Sequence, residues 1–518
     1  MTFNISSGGE IVIEFKDNFL DFSNFFGNAF SNSKNCITSI EFSEMKITGI
    51  TNMENMFSNM KKLEKIVGLG SLNTSSVINM NSMFKGDYFL KSLNLSNFDT
   101  SKVTDMSYMF YSNIMLNEID VSSFRTSKVI NMSNMFAYDY YLIILLIEYP
   151  EIFSYIFGDN ITLQKQIIKG LANFDTSSVI NMGEMFSYNV NIESLDLSNF
   201  NTSSVTSMEG MFADSSIKSL DLSNFNTSSV TSMDNKFEYA IIESLDLSNF
   251  YTSSSVTSMQ SMFSHSSIDS LDLSNFYTSF SVTSMDNMFA FSNIKSLDFS
   301  NFDTSSSVTS MQSMFSFSSI GSLDLSNFNT SSVTSMYNMF YFSSIKSLDF
   351  SNFDTSSSVT SMENMFYHDS IESIDLSNFY TSSVTSMENM FAYSSIKSLD
   401  LSNFDTSSVI KFSGMFNGCQ SLEYLDITNF NMIKINSFNS IFNGLVKIKY
   451  INIYNIQQNE NEYFTKYIKK INFGHDGLMI CQKEKIIESG TNICCSINFD
   501  DINKCSNYII VYYKSSTT

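Results

Sequence analysis

An aspartate recurs within the motif Ser-Leu-Asp-Leu and its close variants along this 518-residue chain. If each aspartate lies on a short strand and points outward, neighbouring carboxylates stack about 5 Å apart along one face. Such a row can bind a cationic partner or divalent ions. The candidate ligand-binding row comprises Asp196, Asp221, Asp246, Asp272, Asp298, Asp324, Asp349, Asp375, Asp400 and Asp426.

The same row has a purely structural interpretation. Flanking serine hydroxyls and solvent can satisfy the carboxylates, as Ser219 and Ser223 would for Asp221. Lysines that precede the motif would neutralise the row in part. These lysines are Lys218, Lys295, Lys346 and Lys397.

Four of the six cysteines lie near the C-terminal end of the chain, at Cys481, Cys494, Cys495 and Cys505. This concentration favours a disulfide-stapled segment and hence an oxidising compartment. Free structural thiols are one alternative. A zinc site is the other, but Cys494 and Cys495 are adjacent and there is no CxxC pair, so the spacing does not suit zinc.

Catalysis has little support in the sequence. The three histidines are His265, His368 and His475, and the first two follow a Met-Phe pair where other repeats have Tyr, Phe or Ser. Ser and Asp are so abundant that a Ser-His-Asp set reflects composition rather than geometry. No phosphate-binding loop, HExxH motif or dinucleotide fingerprint occurs. We therefore expect a protein that is not an enzyme and uses no cofactor or metal.

Composition narrows the class of protein further. A chain of 518 residues exceeds the size of one globular core, which indicates several domains or a repeat array. The 43% hydrophobic content is enough to fold and argues against wholesale disorder. The formal charge of −23 disfavours nucleic acid, whose phosphates require clustered Lys and Arg. An acidic protein instead favours cationic partners.

A Met-Phe pair recurs every 25 or 26 residues through most of the chain. Phe57 and Phe442 extend the series at its ends, and Phe237 keeps the register although Lys236 replaces its methionine. A fixed period of this length is typical of a solenoid. The phenylalanines of the central series include Phe84, Phe110, Phe136, Phe186, Phe212, Phe263, Phe289, Phe315, Phe340, Phe366, Phe391 and Phe416.

Each repeat contains two hydrophobic patterns. Leu220 and Leu222 alternate with polar residues, which predicts a short half-buried strand. Met208 and Phe212 are four residues apart, which suits a short helix or 3-10 turn, and Thr206 is a candidate N-cap. One repeat buries too little apolar surface to fold alone, so the units must stack and their strands must form one parallel sheet.

The repeats resemble the BspA-like leucine-rich repeat surface proteins, in the subtype built on LDLSxFDTSxVTxMxxMFxxC. The match is close in LDLSNFDTSSV from Leu399 to Val409 and in MFNGCQSLEYLDITNF from Met415 to Phe430. Here the repeat cysteine is retained only as Cys419. The resemblance implies a curved leucine-rich-repeat solenoid, usually at a cell surface and tied to adhesion or host interaction, with no defined chemistry or ligand.

We therefore predict an α/β fold: a leucine-rich-repeat-type right-handed solenoid with one parallel β-sheet face and short helices or 3-10 turns opposite. About 15 to 16 units should occupy residues 37–456. Residues 1–36 should form an N-terminal β cap, and residues 457–518 a cysteine-containing C-terminal cap or small domain.

The regular spacing doubles between Phe136 and Phe186, so we predict an insertion at about 142–165. A degenerate coil or helical flap packed on the solenoid is the main interpretation. A partner-binding loop and a membrane contact are the alternatives. The segment is interrupted by Glu148, Pro150 and Glu151, which makes it too short and polar to span a bilayer.

The functional hypothesis is a non-catalytic binding or adhesion protein that uses the exposed sheet face for protein-protein or host interaction. Its partner would be a protein or other extracellular ligand, and the acidic charge favours a cationic one. The expected location is the cell surface or outside the cell. The alternative is an intracellular, cytoplasmic interaction scaffold, because the first twenty residues lack the uninterrupted apolar core of a secretory signal.

Overall fold

The chain, seen in a computed structural model, divides into two compact units. Unit 1 comprises Met1–Val256 with Ser266–Ile268, and unit 2 comprises Thr257–His265 with Asp269–Thr518. The structure describes residues 2–5, 11–14, 21–26, 36–42, 48–157, 163–452, 478–481 and 496–497, except for short gaps at 248–249, 251–254, 274–280, 300–303, 305–306, 352, 354, 356–357, 436 and 438.

Unit 1 is a stack of coils joined by short parallel strand pairs, preceded by one antiparallel hairpin. The hairpin pairs β1 with β2, and the parallel pairs are β3 with β4, β5 with β6, and β7 with β8. The strands are β1 Thr2–Ile5, β2 Ile11–Glu14, β3 Ser39–Glu41, β4 Lys65–Val67, β5 Glu118–Asp120, β6 Ile167–Lys169, β7 Ser219–Asp221 and β8 Ser244–Asp246. Two 3-10 helices span Leu69–Ser71 and Leu171–Asn173, and two α-helices span α1 Tyr140–Ile147 and α2 Pro150–Phe157.

Unit 2 repeats the same coil. Its parallel pairs are β9 with β10, β11 with β12, and the consecutive series β13 to β16, and β17 closes that series antiparallel to β16. The strands are β9 Ser270–Asp272, β10 Ser296–Asp298, β11 Ser322–Asp324, β12 Ser347–Asp349, β13 Ser398–Asp400, β14 Tyr424–Asp426, β15 Tyr450–Asn452, β16 Leu478–Cys481 and β17 Ser496–Ile497. The predicted parallel solenoid is confirmed, whereas the caps at 1–36 and 457–518 stay predictions.

A second parallel ladder joins the coils at the residue before the first methionine of each repeat. In unit 2 it runs as Ser284, Ser310, Ser335, Ser361 and Ser386. In unit 1 the same ladder pairs Asn131 directly with Asn181. The 50 residues between them therefore contain one ordinary coil plus an insertion, and the inserted residues fold as the predicted helical flap, α1 and α2.

The second half of each regular coil is a turn rather than a helix. In the coil from Met285 to Phe291, Asn287 and Phe291 have φ angles of 57° and 56°, which no helix interior accommodates. The N–H groups of Asn287, Phe289 and Phe291 donate to carbonyls of the next coil at 2.9, 2.9 and 2.7 Å. Hydrogen bonds that stay within the turn span only three residues, as from Met288 to Met285 at 3.3 Å. Bonding between coils thus takes the place of the i to i−4 bonds of a helix, and of the two predicted alternatives, a short helix or a 3-10 turn, the coil follows the turn.

The N-cap that the sequence suggested at Thr206 does not form, because no helix follows it. The Thr206 hydroxyl instead donates to the Ile180 carbonyl of the preceding coil at 3.4 Å, and the Thr231 hydroxyl donates to the Thr206 carbonyl at 3.1 Å. The threonine side chains therefore join successive coils.

The core of each unit contains a column of stacked phenylalanine rings. Ring centroids of neighbouring coils are 5.4–6.1 Å apart and the planes differ by no more than 10°. The repeat period accounts for this, because one coil of 25 or 26 residues returns the same side chain to the same place. In unit 1 the column is Phe57, Phe84, Phe110, Phe136, Phe186, Phe212 and Phe237; in unit 2 it is Phe263, Phe289, Phe315, Phe340, Phe366, Phe391, Phe416 and Phe442.

Lys236 is fully buried in this core, in the place of a methionine. Its Nζ lies 3.0 Å from the Met208 Sδ and 5.0 Å from the centroid of the Phe250 ring. Burial among apolar groups lowers the pKa of Lys236 to about 7.

Replacing this lysine by methionine should stabilise the protein in a pH-dependent way. In the unfolded chain a lysine has a pKa of about 10.4. Between pH 7 and that value the unfolded chain holds a proton that the folded one lacks, so wild-type stability rises with pH. Lys236→Met should therefore raise the free energy of unfolding most at or below pH 7, by on the order of 4 kcal/mol, and raise it little near pH 10.

Urea unfolding of both proteins at pH 7 and pH 10, followed by circular dichroism, would measure this gain. Lys218→Met is the matched control, because Lys218 is exposed in the same unit. An equal gain for Lys236→Met at both pH values would contradict the prediction.

Candidate binding surface

Eight of the ten candidate aspartates end a strand of unit 1 or unit 2, whereas Asp196 and Asp375 occupy the same repeat position outside the named strands. Within Ser219–Asp221, as in most of these strands, serine and aspartate are exposed and the central leucine is directed inward. Parallel pairing puts Asp221 opposite Asp246, and Asp324 opposite Asp349. Two further register pairs are Asp272 with Asp298 and Asp400 with Asp426. All ten candidates except Asp426 are exposed.

At seven of the ten aspartates the carboxylate also shapes the turn that follows it. The Asp324 Oδ1 accepts the N–H of Ser326 at 2.9 Å, and the Asp349 Oδ1 accepts that of Ser351 at 2.8 Å. This side-chain bond to the backbone two residues later is an Asx turn, which reverses the chain without a glycine. The same bond occurs at Asp196, Asp221, Asp375, Asp400 and Asp426.

The turn bonds lower the pKa values of three members of the row. Hydrogen bonds from Ser198 and Ser223 lower the pKa values of Asp196 and Asp221, and those from Ser377 lower the pKa of Asp375. A hydrogen bond to the charged form stabilises it against protonation. Within each unit the exposed aspartates therefore repeat the same acidic group from coil to coil.

Asp426 differs from the other nine members of the row. Its side chain is buried, and its carboxylate accepts hydrogen bonds from the Thr428 N–H at 2.9 Å and from the Asn452 Nδ2 at 2.7 Å. The Thr428 hydroxyl and the Tyr424 hydroxyl also donate to it. Its position in the fold is that of a buried structural carboxylate.

We expected four lysines to neutralise the aspartate row. Two of them, Lys295 and Lys397, instead form ion pairs with a different column of carboxylates. Lys295 Nζ lies 3.1 Å from an Asp269 oxygen, and Lys397 Nζ lies 2.5 Å from a Glu372 oxygen. Lys218 and Lys346 likewise lower the pKa values of Glu193 and Glu372, after the larger effects of Lys165 and Lys397. The expected neutralisation was wrong for Lys295 and Lys397, because acidic and basic residues occupy the same position in successive coils.

The two described histidines belong to a column of aromatic rings on the turns of unit 2. His265 stacks on Phe291 with centroids 4.4 Å apart, and His368 stacks on Phe342 at 4.3 Å. His475 lies outside the described residues. In the part of the chain that the structure describes, no group of three His, Cys, Asp or Glu side chains could hold a metal ion.

This aromatic column was missed in the sequence. Its members have φ angles of 53–60°, a left-handed conformation that glycine adopts at the same position in Gly418. The rings stack face to face, and Phe291, Phe317 and Tyr393 remain 40–45% exposed. The only sequence signal was that each member lies two residues after the phenylalanine of its own Met-Phe pair. The members are His265, Phe291, Phe317, Phe342, His368 and Tyr393.

The predicted disulfide cysteines lie beyond what the structure describes. Cys481 ends β16, but its side chain lies outside the described residues, as do Cys494, Cys495 and Cys505 in full. Their oxidation stays a prediction. Cys419, by contrast, is a buried free thiol whose Sγ donates to the Phe391 carbonyl at 2.9 Å, and burial raises its pKa to about 11.

A family model described as "Mycoplasma protein of unknown function, DUF285" matches residues 21–141, 152–276, 257–373 and 360–472. Among solved structures, a leucine-rich repeat protein from Bacteroides ovatus ATCC 8483 is 15% identical, with 87% of this chain and 85% of that chain covered and a TM-score of 0.34. The TLR13–ssRNA13 complex is 12% identical, with 86% and 83% covered and a TM-score of 0.18. No curated protein sequence matches the chain significantly.

The position of Cys419 in the coil carries a polar side chain in other repeats. Asn113 and Asn189 occupy it and donate to the Phe84 and Phe136 carbonyls at 2.9 and 3.0 Å. Asp369 occupies it as well, with one buried oxygen that makes no hydrogen bond. Burial raises the pKa of Asp369 well above its usual value.

Asp369→Asn should stabilise the protein at neutral pH, because the amide can donate without being protonated. Since the folded pKa is raised, wild-type stability is greatest below about pH 4 and falls as pH rises toward the folded pKa. The increase in the free energy of unfolding should be near zero at pH 4 and about 1 to 3 kcal/mol at pH 7. Urea unfolding at both pH values measures it, with Asp405→Asn as the exposed control. A gain that did not depend on pH would count against this assignment.

Proposed function

This chain belongs to the family described as Mycoplasma protein of unknown function DUF285, and we propose that it is a non-catalytic binding protein that uses the exposed strand faces of its coils. The observation that carries this proposal is the row of exposed aspartates, repeated in register from coil to coil. A repeated array of one charge suits the recognition of an extended partner rather than the chemistry of a single reacting atom.

The charge of the row favours a cationic partner. The whole chain has a formal charge of −23, and turn bonds lower the pKa values of Asp196, Asp221 and Asp375. Each turn bond engages one carboxylate oxygen, so the second oxygen at Asp324 or Asp349 can accept from a partner. Lysine and arginine side chains of an extended peptide would meet one carboxylate per coil.

A divalent ion is a weaker match to the same row. Calcium takes six to eight oxygen ligands around one point. The strand face offers one aspartate per coil, at the spacing of about 4.8 Å between neighbouring strands. A cationic protein segment matches that linear spacing better than a single ion does.

The proposed biological setting is adhesion or host interaction at the cell surface, as for the BspA-like subtype that the repeats resemble. Protease treatment of intact source cells tests the location. Cleavage of this chain in intact cells would support a surface protein, whereas protection in intact cells with cleavage after lysis would favour an intracellular scaffold.

Neutralising the strand-face row should weaken binding to a cationic polymer. In the variant Asp324→Asn, Asp349→Asn, Asp375→Asn and Asp400→Asn, each amide oxygen can keep the turn bond while the charge is lost. Isothermal titration with polylysine at low salt should show affinity reduced by about tenfold or more relative to wild type.

The matched control removes four charges from other faces of unit 2, through Asp286→Asn, Glu363→Gln, Glu388→Gln and Asp405→Asn. It should retain most of the affinity. Equal loss in both variants would mean that net charge alone attracts the polymer, which contradicts a specific strand-face site. If titration with calcium releases heat in the wild type and the control but not in the strand-face variant, the row binds a divalent ion instead of a cationic protein segment.

A further inference from the structure

The helical insertion of unit 1 adds a surface that the repeat coils lack. Helices α1 and α2 meet at an angle of 112°, with a break at Glu148 and Tyr149. Residues 142–151 fall between two segments that match the family model. The surface is therefore distinct from the strand-face row of the proposed function.

One side of this helical pair is anchored to the solenoid. Leu142, Ile143 and Phe153 pack with Ile114 and Tyr138 in one buried cluster. The Tyr138 hydroxyl donates to the Asn191 Oδ1 at 2.8 Å, and the Asp139 Oδ1 caps α1 by accepting the Leu142 N–H at 3.0 Å. Because these contacts already bury the inner side, the outer side is left to solvent.

That outer side is apolar and aromatic. Tyr155 is 91% exposed, Tyr141 74% and Ile147 64%. Ile152, Tyr155 and Ile156 are spaced by three and four residues, so they share one face of α2. Seven of the 21 large exposed hydrophobic side chains in the described residues lie here: Tyr140, Tyr141, Ile147, Tyr149, Ile152, Tyr155 and Ile156. Exposed apolar concentrations of this kind mark interaction sites.

We propose that this outer face of α1 and α2 docks on the surface of a lipid bilayer with electrically neutral headgroups. Isoleucine suits the boundary of the acyl chains, and tyrosine suits the headgroup level. No single helix among the described residues is long and apolar enough to cross a membrane. The two bent helices therefore lie along the interface, and the exposed Glu148 and Glu151 at the break keep the contact shallow.

Charge distinguishes this partner from the others that an apolar face could bind. The sequence from residue 139 to residue 164 contains no lysine or arginine. Lys61 and Lys62 lie over the rings of Tyr88 and Phe89, which contact Phe157, and Lys85 interacts with Asp139. Asp139, Glu148 and Glu151 offset these three lysines, so the face has no net positive charge to attract anionic lipid. A second copy of the chain would carry a further formal charge of −23 and be repelled. A neutral lipid surface satisfies the apolar side chains without either electrostatic cost.

A single tryptophan can report this contact, because the natural chain contains none. Tyr155→Trp should show a blue-shifted emission with phosphatidylcholine vesicles, together with quenching by brominated lipid. Tyr380→Trp is the matched control, since Tyr380 is 60% exposed in a turn of unit 2, and it should show neither change. No shift for Tyr155→Trp, or equal shifts in both variants, would overturn the proposal.

Removing the apolar contact should release the protein from vesicles. Ile147→Ser, Ile152→Ser and Ile156→Ser together should lower the vesicle-bound fraction by about tenfold, with unchanged circular dichroism because these side chains are exposed. Glu148→Gln with Glu151→Gln should raise it. The strand-face aspartate variant should bind vesicles as wild type does, which separates this proposal from the proposed function.

A blue shift of Tyr155→Trp that follows protein concentration without lipid would show that a second copy covers the face, and would overturn the lipid assignment.

Discussion

The hydrogen bonds between successive coils are the constraint on which the rest of each unit depends. In the turn from Met285 to Phe291, alternate backbone N–H groups donate to the next coil, and the strand and bridge ladders do the same on other sides. These bonds fix the register of every coil on its neighbour. Because the register is fixed, residues at equal positions of the repeat must lie in columns, whatever their chemistry.

The columns explain why single exceptions matter in this protein. Lys236 lies in a methionine column, so its amine is buried and its pKa is lowered. Asp369 lies in the column of Asn113 and Asn189, where burial raises the pKa of its carboxyl group. Neither group can move to solvent, since the coils on either side hold the backbone in place. Within each unit the same regularity places the exposed aspartates of paired strands side by side.

The helical pair α1 and α2 is an interruption that the register tolerates. Asn131 still pairs with Asn181, and Phe136 still stacks on Phe186 with centroids 5.7 Å apart. The inserted residues leave the coil and return to it without altering the columns. A surface can therefore be added to one coil while the ladder of unit 1 continues.

The sequence by itself determined the period, the buried Met and Phe columns, and the outward aspartates of the strands. It could do so because alternation sets the two faces of a strand, and stacking turns a repeated residue into a column. Only the tertiary structure decided between the turns and the short helices that the sequence allowed, paired Lys397 with Glu372, and buried Asp426 with Asn452 as a donor to its carboxylate. Each of these outcomes depends on atoms of a neighbouring coil some 25 residues away, and local sequence preferences carry no information about such contacts.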